Sequence, residues 1–322
     1  MRVLITGASG FLGSHVVEFL HEEGLEIVAM ARRTSDLSSI EDCIDEVRYG
    51  DLMDLGSIVA ASKDIDATIH CAGVVKMVTP YKELRGTNVE GTRKVVKACA
   101  MNGVGRVIYA SSLGVHGMRP DGKRPKEKYC RSKAEAERAF FEECSKEDVG
   151  GVALRPGVIY GPRDFTASYP MFKMVESGKT FLIGDGDTRF PLIYIDDLVE
   201  VFKTCLDSSS AVGRAFDLTG EEVTSREVFQ TISRSLEVDF DPTSISFRKA
   251  MIAARVGEMR SFLSGYKSGT TLSRFVVQLY GTDHHIITDR AREMLGFEPK
   301  IGLDEGIRRT AQWYLSTSDG LG

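Results

Sequence analysis

Tyr129 and Lys133 stand four positions apart in Tyr-Cys-Arg-Ser-Lys, so a helix puts both on one face. A free tyrosine, with a pKa near ~10, is a poor acid or base at neutral pH. A neighbouring ammonium stabilises its phenolate, and a lowering of about three units requires roughly 4 kcal/mol of differential interaction. On its own, such a pair also reads as a surface contact. Ser112 ends the run Val-Ile-Tyr-Ala-Ser-Ser (107–112). If that run is a strand of a parallel sheet, Ser112 lies at the carboxyl edge, where ligands bind. A hydroxyl there can hydrogen-bond a substrate carbonyl as charge develops on its oxygen. Ser111 beside it reads as a capping or turn serine.

A second group of residues points to an anion. Thr-Gly-Ala-Ser-Gly-Phe-Leu-Gly (6–13) sets Gly7, Gly10 and Gly13 between an apolar run and an amphipathic one. Glycines there allow a tight turn and close backbone approach to a pyrophosphate. A helix opening at Phe11 offers the same anion its unpaired N–H groups and positive end. Ser9, Phe11 and Leu12 belong to this candidate cofactor-binding set. Cofactor choice is set about 20 residues further on, where an acidic residue would bind a ribose 2′-hydroxyl. That position falls on Ala31, and Arg32 and Arg33 follow, with Ser35 near. Guanidinium groups match a phosphate, so the sequence predicts NADP(H) in preference to NAD(H), with NAD(H) as the alternative. The arginines otherwise read as a solvated helix-entry pair.

The elements that must position these residues are legible. Strands are expected at 2–6, 26–31, 46–51, 66–73, 105–112 and 150–157, and helices at about 11–23, 81–102 and 126–146. Continuous apolar strands alternating with helices indicate a parallel sheet covered on both faces, a doubly wound Rossmann-type α/β fold. Beyond about residue 158 glycine and proline become frequent. The chain is therefore divided into a cofactor-binding domain, 1–164, and a smaller interleaved substrate-binding region, 165–322, some of whose elements return to the first. The stretch 244–281 is helical and apolar and carries Lys249, Arg255, Arg260, Lys267 and Arg274. It reads first as a packed helix pair with a solvated basic edge, and second as a substrate lid or membrane-surface contact.

Composition narrows the class. The chain has 322 residues, enough to bury a large core without disulfides. A formal net charge of −5 gives no basic field for nucleic acid. The cysteines Cys43, Cys71, Cys99, Cys130, Cys144 and Cys205 are scattered and read as reduced thiols of a cytoplasmic protein. The histidines lack metal-binding spacing, so no metal site is expected. No leader or membrane span is expected either: the first apolar run meets Gly7 within a few residues, and no run approaches ~20 apolar residues.

Taken together, these motifs resemble the extended short-chain dehydrogenase/reductase superfamily. The resemblance extends to Asp51-Leu52, Cys71-Ala72-Gly73, Thr-Asn-Val-Glu-Gly-Thr (87–92), Ser-Lys-Ala-Glu-Ala-Glu (132–137), Arg-Pro-Gly-Val-Ile-Tyr-Gly-Pro (155–162), Tyr-Ile-Asp-Asp (194–197) and 292–310. It implies that Tyr129 exchanges the proton with the substrate oxygen, and that Lys133 lowers its pKa and holds the nicotinamide ribose. It also implies that Ser112 orients the carbonyl and that Asn88 supports the site. Asp51 and Leu52 would lie by the adenine, Cys71, Ala72 and Gly73 in the turn after the fourth strand, and Pro156 and Gly157 near the nicotinamide. Two related helices, 81–102 and 126–146, would pair in a homodimer; their apolar residues Val95, Val96, Ala136, Phe140 and Phe141 suit that. Tyr129 follows Ser112 by only 17 positions, which implies a short rim over the site.

Within the superfamily the chain looks closest to the 3β-hydroxysteroid dehydrogenase and dihydroflavonol-reductase-like branch. The implied reaction is hydride transfer between nicotinamide and the carbonyl or alcohol carbon of a largely apolar small-molecule substrate. Val75, Leu113, His116 and Phe190 are the substrate-facing candidates, with Val74, Met77, Phe165, Tyr169 and Met171 as further apolar wall; each also reads as ordinary packing. The alternative is a nucleotide-sugar epimerase or dehydratase. Those relatives carry an asparagine, in a pattern like Arg-x-x-Asn, which is placed against Gly157 here. Their Arg-Asp pair before the Asp-Asp segment is met by Phe190 and Pro191, although Arg189 is one residue away. A non-catalytic cofactor-binding sensor is the alternative of another class.

Overall fold

The structure, a computed structural model, describes residues 1–75, 79–117, 127–264 and 272–318. Met77, Lys126, Lys267 and Thr271 lie outside the described residues.

The first half alternates as expected: β1 (Arg2–Thr6), α1 (Phe11–Glu22), β2 (Glu26–Ala31), β3 (Glu46–Tyr49), α2 (Leu55–Ala61), β4 (Ala67–His70), α3 (Tyr81–Leu84), α4 (Gly91–Met101), β5 (Arg106–Ala110), α5 (Lys128–Lys146) and β6 (Gly150–Pro156). Short strands and helices follow: β7 (Val158–Tyr160), α6 (Ser168–Glu176), β8 (Phe181–Ile183), β9 (Arg189–Phe190), β10 (Leu192–Tyr194), α7 (Ile195–Asp207), β11 (Arg214–Leu218), β12 (Val223–Thr224), α8 (Ser225–Ser235) and β13 (Thr243–Ile245). Four helices follow among the described residues: α9 (Phe247–Leu263), α10 (Arg274–Gly281), α11 (Asp289–Leu295) and α12 (Leu303–Ser318).

The central sheet is parallel, in the order β11-β6-β5-β4-β1-β2-β3. The order reverses at β1, which pairs with β2 on one side and β4 on the other. That switch point opens a crevice at the carboxyl edge. Val3, Ile5, Ile27, Ala29, Ile69, Ile108, Val152 and Leu154 face one core, and Leu4, Val28, Val107 and Ala153 face the other, so both faces of the sheet are dry. Continuous apolar strands follow from that.

Strand ends fall short of the expectation. β3 stops at Tyr49, β4 at His70 and β5 at Ala110, and the residues beyond form the loops over the edge. The expected helix 81–102 is interrupted by a π turn, Arg85–Glu90. The second half returns to the sheet through β11, and α7 packs on α1.

The apolar residues expected to pair in a homodimer are covered within the single chain. Val95, Val96, Ala136 and Phe140 are fully buried within the single chain, and Phe141 packs half-buried against the same core. They face the sheet and each other across α4 and α5. On these helices Arg93 pairs with Glu142 and Glu143, and Arg131 with Glu135.

Candidate active site

The glycine turn is shaped as a cradle. Gly7 has φ +76°, and a Cβ there would lie 2.7 Å from the Ala72 nitrogen, in the loop after β4. At Gly13 a Cβ would stand 2.0 Å from the Gly7 carbonyl oxygen. The Gly10 N–H donates to that oxygen at 3.0 Å, and Gly10 caps α1 with no side-chain acceptor. The first-turn N–H groups of Phe11, Leu12 and Gly13 have no intrahelical partner, as in any helix. Ser9 is exposed at the mouth. A turn of backbone N–H groups at a helix N-terminus fits a pyrophosphate, so these residues suit the dinucleotide the sequence implied.

Tyr129 and Lys133 lie one turn apart on α5, both buried. Burial pushes the Tyr129 phenol well above its ordinary pKa, Cys130 adds to this, and the nearby Ser112 hydroxyl opposes it. The ring of Phe275, on α10, meets that of Tyr129 edge to face at 6.2 Å. The Lys133 ammonium is held at the end of β5. It donates to the Ala110 carbonyl at 2.6 Å and sits 4.5 Å over the Tyr109 ring. Burial lowers its pKa to about 8, against the pull of Glu137 and Cys71. Ser112 also caps the short turn 113–116, accepting from the Gly114 N–H at 3.1 Å.

The π turn brings Asn88 into the site. Such turns recur at functional positions because the wide turn redirects a side chain. Asn88 accepts from the Val74 N–H at 2.8 Å and donates to the Val74 carbonyl at 3.0 Å and to the Ser132 hydroxyl at 3.1 Å. Ser132 in turn donates to the Tyr129 carbonyl at 2.7 Å. Asn88 thus ties the loop after β4 to the helix that carries Tyr129. A Cβ at Gly73 would crowd it at 3.2 Å.

Other residues frame the site, and among them Thr6, His70, Glu137 and Asp217 are ones that sequence reasoning had not singled out. Thr6 bonds His70 at 2.7 Å, His70 bonds Thr92 at 3.1 Å, and Thr92 donates to the Asn88 carbonyl at 2.6 Å. Ser111 is not a cap: it donates to the Glu137 carboxylate at 2.6 Å. Glu137 receives Arg155, and Arg155 also reaches Asp217 at 3.2 Å. His116 lies 3.0 Å from both Asp217 oxygens. One signal was available in the sequence: Glu137 follows Tyr129 and Lys133 by another i,i+4 step, so all three share a helix face.

The remaining candidates are placed as follows. Asp51 is exposed and accepts from the Met53 N–H, while Leu52 is buried under Gly91. Cys71, Ala72 and Gly73 follow β4 at the crevice, and Pro156 ends β6 at the same edge. Arg32 and Arg33 follow β2; Arg33 lies 4.7 Å over the Tyr49 ring, and Arg32 is exposed. Val74 is half-buried; Val75 is exposed and Leu113 buried. Phe165 and Tyr169 pack on Trp313 of α12, and Met171 is buried in the larger core.

The sugar-type anchors need correction. Counted from Arg155, the asparagine of an Arg-x-x-Asn pattern falls on Val158, not Gly157. The Val158 N–H donates to the Pro191 carbonyl at 2.7 Å, and a Cβ at Gly157 would lie 2.3 Å from the same oxygen. Arg189 is occupied: its guanidinium is clasped by Asp283 and stands 3.1 Å from His285. Phe190 is buried and stacks on Tyr280 at 4.6 Å. Neither residue presents a free cation.

The chain is similar to known enzymes over nearly its whole length. It is 27% identical to a 2-alkyl-3-oxoalkanoate reductase of Stenotrophomonas maltophilia (strain K279a), covering 96% of this chain and 98% of that one. It is 29% identical to a decarboxylating sterol-4-alpha-carboxylate 3-dehydrogenase of Schizosaccharomyces pombe, covering 97% and 96%. A crystal structure of UDP-glucose 4-epimerase from Thermotoga maritima, with UDP-glucose, shares the fold at a TM-score of 0.79 and 18% identity, covering 99% and 100%. The expected extended short-chain dehydrogenase/reductase fold and an oxidoreductase activity of that superfamily are borne out. Residues 3–218 match the model of one family. The chain belongs to the NAD dependent epimerase/dehydratase family.

Proposed function

We propose that the protein is an NADP(H)-preferring reductase or dehydrogenase of an apolar, alkyl-bearing carbonyl or alcohol, of the keto-acid or sterol kind. The observation that carries this reading is the surroundings of Tyr129: its phenol is buried between the Ser112 hydroxyl and the Phe275 ring. Ser112 hydrogen-bonds the substrate oxygen, and Tyr129 gives it a proton or takes one from it. Lys133 and Asn88 hold α5 and the loop after β4 in place, and Lys133 reaches the cofactor ribose. Asp51, Leu52, Cys71, Ala72, Gly73, Pro156 and Gly157 line the path of the dinucleotide. When bound, the cofactor would give a hydride to a carbonyl carbon or take one from an alcohol carbon; the protein supplies position and electrostatics.

The clasp of Asp283 on Arg189 disfavours a nucleotide sugar, whose diphosphate would lack that charge-assisted partner. The names of the reductase and sterol-dehydrogenase relatives support the apolar choice. A cofactor-oxidation screen of the purified protein tests it, comparing alkyl-bearing β-keto acids, sterols and hydrophobic ketones with nucleotide sugars. Turnover of a β-keto acid or sterol is expected. Tight, saturable calorimetric binding of UDP or dTDP would overturn the reading.

NADP(H) preference rests on Arg32, which has no ion pair among the described residues. A homodimer rests on the family resemblance alone, and sedimentation at micromolar concentration decides it. Six unpaired cysteines support a reducing compartment such as the cytoplasm. Residues 165–322 would form most of the substrate wall.

A further inference from the structure

Helix α9 is built inside out. The side chains it turns inward are small: Ala250, Ala254 and Ser261 are buried. Ala250 and Ala254 pack with Val277 of α10 and Ile183 of β8. Outward it turns large apolar ones: Ile252 is 56% exposed, Val256 38%, Met259 58% and Leu263 76%. A helix that only covers a core does the reverse.

These four residues follow one another at i, i+4, i+7 and i+11, which makes a single stripe along the helix. Cations border it on both sides. At 3.6 residues per turn, Arg248 and Arg255 fall on one flank, and Lys249 and Arg260 on the other. All four are exposed. Glu258 is the helix's one acidic residue, and Arg274 holds it at 2.8 Å. The helix therefore carries a net charge of +3 in a chain whose net charge is −5.

We propose that α9 is a docking face for an anionic lipid surface. An apolar stripe sinks into the acyl boundary while lysine and arginine stems run up beside it to the headgroups. Among the described residues no helix is long and apolar enough to cross a membrane, so α9 lies on the bilayer. α10 packs against α9, and its Phe275 touches the Tyr129 ring. One helix thus separates the lipid-facing stripe from the candidate acid. The inference stands on the stripe and its flanking charges, and does not depend on the substrate reading.

The test is co-sedimentation of the full chain with vesicles of phosphatidylcholine and phosphatidylglycerol, against phosphatidylcholine alone. Binding is expected on the anionic vesicles, with loss as salt rises. At roughly fivefold per cation, K249E/R260E lowers the partition coefficient by at least about 25-fold. M259S/L263S lowers it through lost insertion. Failure of the wild type to bind anionic vesicles would overturn the proposal without recourse to variants. It is equally overturned if neither variant changes binding, or if sedimentation shows a wild-type dimer that M259S/L263S splits, since the stripe would then be covered by a second copy.

Discussion

Arg155 holds Glu137 by both ends of its guanidinium, at 2.8 Å through Nε and 2.5 Å through a terminal nitrogen. Glu137 sits two helical turns beyond Tyr129, and Ser111 beside Ser112 donates to the same carboxylate. The ion pair therefore fixes the helix bearing Tyr129 against β6, and the Ser111 hydrogen bond ties the same carboxylate to the loop that carries Ser112.

Removing the cation leaves a buried carboxylate without its partner. Arg155→Leu is expected to destabilise the fold by about 3–5 kcal/mol, as for a broken buried pair. The double variant E137Q/R155L should recover part of this loss. Urea unfolding of the three proteins measures it; an Arg155→Leu midpoint equal to wild type would contradict the arrangement.

Proton transfer should depend on the phenol. Tyr129→Phe keeps the ring against Phe275 and removes the hydroxyl, and turnover should drop at least ~100-fold. Cofactor affinity, read by fluorescence titration, should stay near wild type. A mutant that turns over normally would rule Tyr129 out.

The cradle tolerates no side chain at Gly13, because the obstacle at 2.0 Å is backbone. Gly13→Ala should cost ~1–3 kcal/mol of stability, the scale of an overpacked site, and weaken dinucleotide binding. Thermal melting with and without cofactor reads both effects.

Arg32 should set the cofactor preference. Wild type should show a higher kcat/KM with NADP(H) than with NAD(H). Arg32→Ala should reduce that preference by ~1–3 kcal/mol, the scale of a lost charge-assisted hydrogen bond. Arg33, stacked on Tyr49, remains in the variant. A wild type that favours NAD(H) would refute the assignment.

Two buried histidines should make the fold acid-sensitive. Burial, with Lys133 nearby, lowers His70 to about 3. Burial and then Arg163 lower His15 to about 4, against Glu18. Between these values and the unfolded pKa of ~6.5 the unfolded chain binds the extra protons, so stability is present above that pH and is lost as pH falls. Each histidine should contribute a loss of about 2 kcal/mol by pH ~5. Urea titrations at neutral pH and near ~5 test this, and His70→Gln should flatten the difference by about half.

What could be read from the sequence was local. Gly7, Gly10 and Gly13, or Tyr129 and Lys133, declare themselves through spacing within one turn or one helix. The network Thr6–His70–Thr92 joins positions 64 and 22 residues apart, and no local pattern marks it. Phe275 reaches Tyr129 from an element far along the chain. The apolar surfaces of α4 and α5 are ambiguous in the sequence for a related reason. Periodicity says that Val95 and Phe140 are covered, but not whether by the chain's own sheet or by another copy. The direction of Lys133 was equally hidden, since its acceptor is a backbone carbonyl.

The last strand of the central sheet has a consequence for how the protein is made. β11 pairs with β6, and Asp217 on it meets Arg155, which left the ribosome 62 residues earlier. Until then the β6 edge has no neighbour and Arg155 lacks one of its two carboxylates. At about 5–20 residues per second, that interval lasts several seconds. A nascent chain stopped before residue 214 has every residue proposed for the proton transfer and an open, hydrogen-bonding sheet edge. Such edges recruit other strands. The nascent cofactor domain is therefore expected to expose the β6 edge until β11 has been synthesised, which makes completion of the sheet a matter of translation timing as well as of sequence.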